Sequence, residues 1–279
     1  MVATYYMNSM QEDYKRVVDD LAMYGSRISP RGVDTFEHSH VGITLARPEC
    51  SLPVGIGRGV NVRIGIAEAL QLIAGESHPD LMLKIAPNFH NFTNGGRWFH
   101  GAYGPRVRPQ IDKVINILER DQHSRQAVVT IWDPLYDGYG DVNDTPCTTT
   151  LQFLRRNGGV EMSVYMRSND VWWGLAYDMY QFTMLGEAVA DHFCESLVKY
   201  THFVGSFHLY QRDVEKSNDL FTKVPGEQDY RWWGKLTDGY REFSVHRDVA
   251  SCILSNAKHP RESETGTLLR KTLHSDVEL

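Results

Sequence analysis

Cys147, Arg167, Asp178, His208 and Tyr210 are the side chains whose types and neighbours best suit chemistry. A cysteine attacks carbon as the thiolate, which a nearby cation favours. Cys147 stands in Thr145-Pro-Cys-Thr-Thr-Thr150, between a Gly/Asp-rich stretch and an expected strand. There the thiol either opens on a cleft or packs into the core, as most free cysteines do. The run Arg167-Ser-Asn-Asp-Val-Trp-Trp-Gly-Leu-Ala-Tyr-Asp178 joins one cation, two carboxylates, a glycine and two tryptophans at an expected loop-to-helix junction. Arg167 suits a phosphate or a thiolate; a salt bridge with Asp170 would satisfy it equally. Asp178 falls near a helix start, where the helix dipole alone favours an acid. In Ser206-Phe-His-Leu-Tyr210 a strand would put His208 and Tyr210 on one face. That pair suits either a ligand hydroxyl or a purely structural contact.

These residues need elements to hold them. Apolar spacing predicts helices over 9–24, 63–73, 110–120 and 176–193. Strands are expected over 35–46, 127–132, 148–155, 160–166 and within 197–210, with Asn157-Gly158-Gly159 as a hairpin turn. Arg27 to Asp34 and Tyr136 to Asp144 read as loops, and Pro87 to Gly104 as a loop with a short helix. The expected class is α+β with a largely antiparallel sheet, in one catalytic domain over 1–279 with a polar tail from about residue 260.

Composition narrows the function classes. A chain of 279 residues with 42% apolar and 23% charged residues can bury a substantial core. A net charge of −6 lacks the basic footprint of a nucleic-acid binder, so a polymeric nucleic-acid partner is not expected. No apolar run reaches transmembrane length, and Met1 to Lys15 lacks the order of a signal peptide, so a cytoplasmic protein without a membrane partner is expected. Cys50, Cys147, Cys194 and Cys252 are too scattered for a zinc site or a disulfide frame; free thiols and no metal are expected.

Taken together, the residues resemble the thymidylate synthase family over roughly residues 10–215. The matching order is Arg31 (with Arg27 as its rival), Glu68, Tyr103-Gly104, Ser124-Arg125, Pro146-Cys147, Arg167 to Leu175 and His208-Leu-Tyr210. The resemblance implies a large twisted sheet flanked by helices and a homodimer formed sheet to sheet. It implies that Cys147 adds to carbon 6 of a pyrimidine nucleoside monophosphate. Arg31, Arg167 and Ser168 would hold its 5′-phosphate, with Arg125 supplied by the partner subunit. His208 and Tyr210 would bind the sugar 3′-hydroxyl, and Glu68 would organise water and move protons. Asp170, Gly174 and Phe89 would contact the co-substrate 5,10-methylenetetrahydrofolate, with Tyr103 close to the reacting carbon. Thiolate addition turns carbon 5 into a nucleophile that takes up the one-carbon unit. Hydride then gives a methyl group, whereas water gives a hydroxymethyl group.

Four departures bear on the substrate. Asp178 stands where the synthases carry Asn; a carboxylate suits the 4-amino group of cytosine. Asp here, the Arg-Ser-Asn-Asp-Val wording, and Cys-Thr-x-Thr with Thr148 in place of a histidine resemble the phage deoxycytidylate hydroxymethylases. Gln126 replaces a second arginine. Phe89 stands near a synthase tryptophan, and the ending Ser275-Asp-Val-Glu-Leu279 is not the apolar closing tail; both lean toward water capture. The expected activity is folate-dependent 5-hydroxymethylation of dCMP, or of CMP, in a setting such as a phage-infected bacterium. The alternatives are methylation of dCMP or dUMP, and a catalytically silent nucleotide- or RNA-binding relative.

Overall fold

The computed structural model describes residues 3–95, 98–138 and 144–275. In chain order the elements are β1 (Ala3–Met7), α1 (Met10–Tyr24), β2 (Ser26–Ile28), β3 (Thr35–Leu45), α2 (Val62–Ala74), α3 (Pro79–Ile85), α4 (Tyr103–Arg120), β4 (Val128–Thr130), β5 (Thr148–Arg156), β6 (Gly159–Asp170), α5 (Leu175–His192), β7 (Leu197–Tyr210), α6 (Gln211–Ser217), α7 (Glu227–Tyr230), α8 (Phe243–Leu254) and α9 (Glu264–Leu273). Short 3₁₀ turns cover Pro30–Gly32, Pro48–Cys50 and Pro87–Phe92. The strands form one seven-stranded sheet in the order β1-β3-β7-β6-β5-β4, with β2 beside β3. Four pairings are antiparallel, while β1/β3 and β6/β7 are parallel. The α+β expectation therefore holds, with a mixed, mainly antiparallel sheet.

The apolar helix α5 packs on β6 and β7 of this sheet. Helix α5 is buried from Leu175 to Asp191, as a helix that is apolar on nearly all sides must be. Helix α2 packs on α5 and is almost as apolar, with Asn61 accepting from the Arg63 N–H as its N-cap. Glu68 is the only carboxylate on α2, so its place in an otherwise apolar helix calls for a partner or a function. Helix α1 starts at the Ser9 cap and presents Met10, Tyr14, Val17, Val18 and Leu21 to the core. The Tyr14 hydroxyl donates to the Val171 carbonyl at 2.8 Å and so ties α1 to the end of β6.

Several boundaries differ from the sequence reading. Helix α4 begins at Tyr103 rather than Gln110: Pro109 sits inside it and the helix runs on, although a proline normally reads as a stop. Strand β6 runs on through Arg167, Ser168, Asn169 and Asp170, because register with β7 continues to Asp170↔His208. The expected loop-to-helix junction therefore shrinks to residues 171–174. Asn157 and Gly158 both take positive φ at the β5–β6 hairpin, as expected for that turn. The segment after residue 260 is not a loose polar tail: α9 packs on α8 with Leu269 and Leu273 fully buried. Residues 276–279, and with them the end of the tail, lie outside the described residues.

Candidate active site

Cys147 is placed by the strand it precedes. The Arg167 N–H donates to the Cys147 carbonyl at 2.9 Å, so the thiol sits at the mouth of the β5–β6 ladder. The Arg167 guanidinium then wraps that segment. Its Nε donates to the Pro146 carbonyl at 2.9 Å and its Nη2 to the Thr145 carbonyl at 3.0 Å, with Cys147 Sγ 3.8 Å from Nη2. Trp132 backs the guanidinium at 5.7 Å. These bonds, rather than a salt bridge with Asp170, occupy Arg167. The arginine does not dominate the thiol: burial pushes the Cys147 pKa up, and Arg167 only opposes that rise. The expectation that arginine favours the thiolate holds in direction, but desolvation outweighs a guanidinium already shared with two carbonyls.

A cleft opens beside Cys147 and brings together residues far apart in sequence. Glu68, Tyr103, Phe89, Cys147 and Asp178 all line it. Tyr103, at the start of α4, stacks on Phe182 of α5 at 5.8 Å, and burial holds its hydroxyl protonated. Glu68 is pushed up to about 8, by burial first and then by the Asp178 and Asp144 charges. Asp178 is pushed up to about 7 by burial, against two hydrogen bonds that favour its charge. Asn169 Nδ2 donates to Asp178 Oδ2 at 2.6 Å and Gln181 Nε2 donates to Oδ1 at 2.8 Å. A helix-start acid held only by the dipole would be exposed; Asp178 is buried and gripped by side chains on both oxygens.

The backbone makes room for this grip. At Gly174 a Cβ would stand 2.9 Å from Asn169 Nδ2 and 3.0 Å from the Asp170 carbonyl, so the close approach of α5 to β6 requires glycine. Asp170 is not part of the cleft lining. Its Oδ1 accepts the Trp172 N–H at 2.8 Å, and burial raises it to about 6. Phe89 meets Phe92 and Phe99 edge-on at 6.0 and 6.2 Å, and the three rings form an apolar wall of the same cleft.

A second cluster lies at the ends of β3, β6 and β7. His208 and Tyr210 share a face of β7, as expected, with rings 5.2 Å apart. Burial lowers the His208 pKa, and the charges of Arg167 and Arg31 lower it further. Both arginines therefore stand near one histidine. Arg27, the rival for the phosphate role, lies instead over the Phe36 ring at 5.2 Å. Arg31 occupies an exposed turn with a positive φ. Ser168 pairs in register with Ser206, whose hydroxyl donates to Glu37 at 2.5 Å. Arg125 is the residue that this chain does not bring in: it is exposed ahead of β4, where its carbonyl accepts from Gln152.

Some contributors escaped the sequence reading. Gln181 and Asn169 position Asp178, and their roles depend on a helix-to-strand contact that no local pattern shows. Arg58 is buried, donates to the Trp172 carbonyl at 2.9 Å and lies 4.4 Å from the Trp172 ring, which fixes the turn after β6. Part of the expected surface loop is interior. Asp137 is buried, accepts from Arg106 and His100, and has its pKa lowered: burial opposes the charge but the Arg106 and His100 bonds prevail. Residues 139–143 of that loop lie outside the described residues. Among the described residues there is no cluster of His, Cys, Asp and Glu that would hold a metal, and no helix long and apolar enough to cross a membrane.

The chain belongs to the thymidylate synthase family, whose model matches residues 12–232. It is 30% identical over 231 residues to a deoxyuridylate hydroxymethyltransferase of Bacillus phage SP01, covering 76% of this chain and 60% of that relative. It is 29% identical over 167 residues to a deoxyuridylate hydroxymethyltransferase of Pseudomonas phage M6, covering 57% of this chain and 47% of that relative. A thymidylate synthase of Streptococcus sanguinis is 22% identical over 270 residues, covering 90% and 95% of the two chains. The chain thus spans about half to three fifths of the lengths of the two phage relatives.

Proposed function

We propose that this protein is a one-carbon transferase that hydroxymethylates carbon 5 of a pyrimidine nucleoside 5′-monophosphate, with dCMP as the favoured substrate. The observation that carries the reading is the cleft joining Cys147, Tyr103, Glu68 and Asp178. It offers a nucleophile, a buried proton carrier and a group facing the base edge within one enclosure. Arg31, Arg167 and Ser168 would take the phosphate, and His208 with Tyr210 the sugar 3′-hydroxyl. The phosphate dianion would itself draw on Arg167, so binding and thiol activation are coupled. Phe89 would hold the folate, since the apolar wall of Phe89, Phe92 and Phe99 fits its flat ring, whereas Asp170 and Gly174 lie outside that lining. Methylenetetrahydrofolate supplies the one-carbon unit when bound. The alternative of a silent binding relative is disfavoured by the intact Cys147 and Glu68.

The choice of cytosine rests on Asp178. Two amide donors point at its oxygens, an arrangement that favours the ionised, acceptor-only form. That form accepts from the 4-amino group of cytosine and repels the 4-oxygen of uracil. A second reading, dUMP as substrate, is supported by the phage relatives named for deoxyuridylate. Competition between dCMP, CMP and dUMP with methylenetetrahydrofolate separates the two. The Asp178 reading expects dCMP to win and Asp178→Asn to shift kcat/KM toward dUMP by about 10-fold or more. Turnover of dUMP alone overturns the cytosine assignment.

A homodimer is part of the same reading. The sheet face opposite α2 and α5 carries Tyr165 and Phe203, stacked at 5.0 Å and each 38% exposed. In register beside them lie Thr150, Gly42, Ser163, Gln152 and Val128. Arg125 precedes β4 at the edge of that face, where a second copy could receive it. We propose that this dimer works in the cytoplasm of a bacterial or phage-infected cell.

A further inference from the structure

We infer that Asp144 is a third working carboxylate of the cleft: the base that takes the proton of the water captured at the exocyclic carbon. This rests on the hydroxymethyl reading above and assigns a step that reading leaves open. Asp144 lines the cleft together with Cys147, Glu68 and Asp178. Its Oδ2 accepts the Gly101 N–H at 2.9 Å. A Cβ on Gly101 would stand 2.8 Å from Oδ1 and 3.0 Å from Oδ2, so the carboxylate lies flat against a glycine that leaves it room. Its charge is felt at both Glu68 and Cys147.

The other two carboxylates suit the step less well. Asp178 has both oxygens engaged by Asn169 and Gln181 and faces the base edge. Glu68, pushed to about 8, holds its proton at neutral pH and serves as an acid. Burial raises the Asp144 pKa as well, but the Gly101 N–H and the charges of His100 and Arg106 favour its ionised form. Of the three it is the carboxylate on which an arginine, Arg106, bears. The step balances. Water oxygen bonds to the exocyclic methylene, and its proton passes to Asp144. The methylene double-bond pair moves to carbon 5, where it is conjugated with the carbon 4–N3 bond of cytosine, and its return to the ring restores the carbon 5–carbon 6 double bond and expels the Cys147 thiolate from carbon 6.

The test is a single turnover of the full-length protein with nucleotide tritiated at carbon 5 and methylenetetrahydrofolate. Tritium release reports the steps up to loss of the carbon 5 proton, all of which precede water capture. Asp144→Asn is expected to slow hydroxymethyl product about 100-fold relative to tritium release, leaving nucleotide covalently held on Cys147 and visible by mass. Asp144→Glu should recover part of the ratio, and Gly101→Ala, which displaces the carboxylate, should lower it. Tritium release and product falling in parallel would mean a merely structural role and overturn the inference, as would an unchanged ratio. A methylated product from the unaltered protein overturns the hydroxymethyl reading itself, and is seen before any variant is compared.

Discussion

At the scale of single residues, the cleft works against solvent. Glu68, Asp178 and Asp144 are all raised chiefly by desolvation, so every negative charge in the cleft is held against burial. Such carboxylates reduce stability. The folded Asp178 pKa is about 7, whereas an unfolded aspartate titrates near about 4. Between those values the folded chain binds the extra proton, so stability falls as pH rises through this window and stays lower above it. Asp178→Asn removes that penalty. Its melting temperature relative to the unaltered protein should therefore climb by several degrees between pH 5 and pH 8, as read by calorimetry. Hydrogen-bond changes caused by the amide are present at both pH values and cancel in that comparison. A difference that stays flat with pH contradicts the buried-charge account.

At the scale of elements, legibility followed periodicity. Helices α1, α2 and α5 and the first part of β6 declared themselves through the spacing of Met10, Tyr14 and Val17, the apolar run of α2, and the alternation of Val160, Met162, Val164 and Met166. The end of β6 did not, because Arg167, Ser168 and Asp170 are polar and read as a loop. The first turns of α4 were hidden by Pro109, and α9 by the polar residues around Leu269 and Leu273. In the site, Cys147, Glu68 and Asp178 were readable from motif order, whereas Gln181, Asp144 and Arg58 act through contacts that only the fold creates. The open face of the sheet gives the element-scale prediction. If Arg125 serves the opposite subunit across that face, Cys147→Ser and Arg125→Ala should each be nearly inactive. Randomly mixed, they should regain about a quarter of full activity, since half the dimers carry one complete site. No recovery on mixing, with subunit exchange shown by mass, contradicts the shared site.

At the scale of the whole molecule, a mixed sheet carries two sets of candidate functional groups at adjoining places. Cys147 and the carboxylates sit where β5 opens onto α2, α4 and α5, and the arginines with His208 and Tyr210 gather at the ends of β3, β6 and β7. Arg167 belongs to both, holding the Cys147 segment by its carbonyls and bearing on His208. A bound phosphate would thus be sensed directly at the nucleophile. The central claim is that water completes the reaction. Running the enzyme with dCMP, CMP or dUMP and methylenetetrahydrofolate in ¹⁸O-water tests it most directly, with product mass and folate absorbance followed together. The account predicts a hydroxymethylated nucleotide carrying one ¹⁸O, with tetrahydrofolate released. A methylated product with dihydrofolate and no ¹⁸O would contradict it.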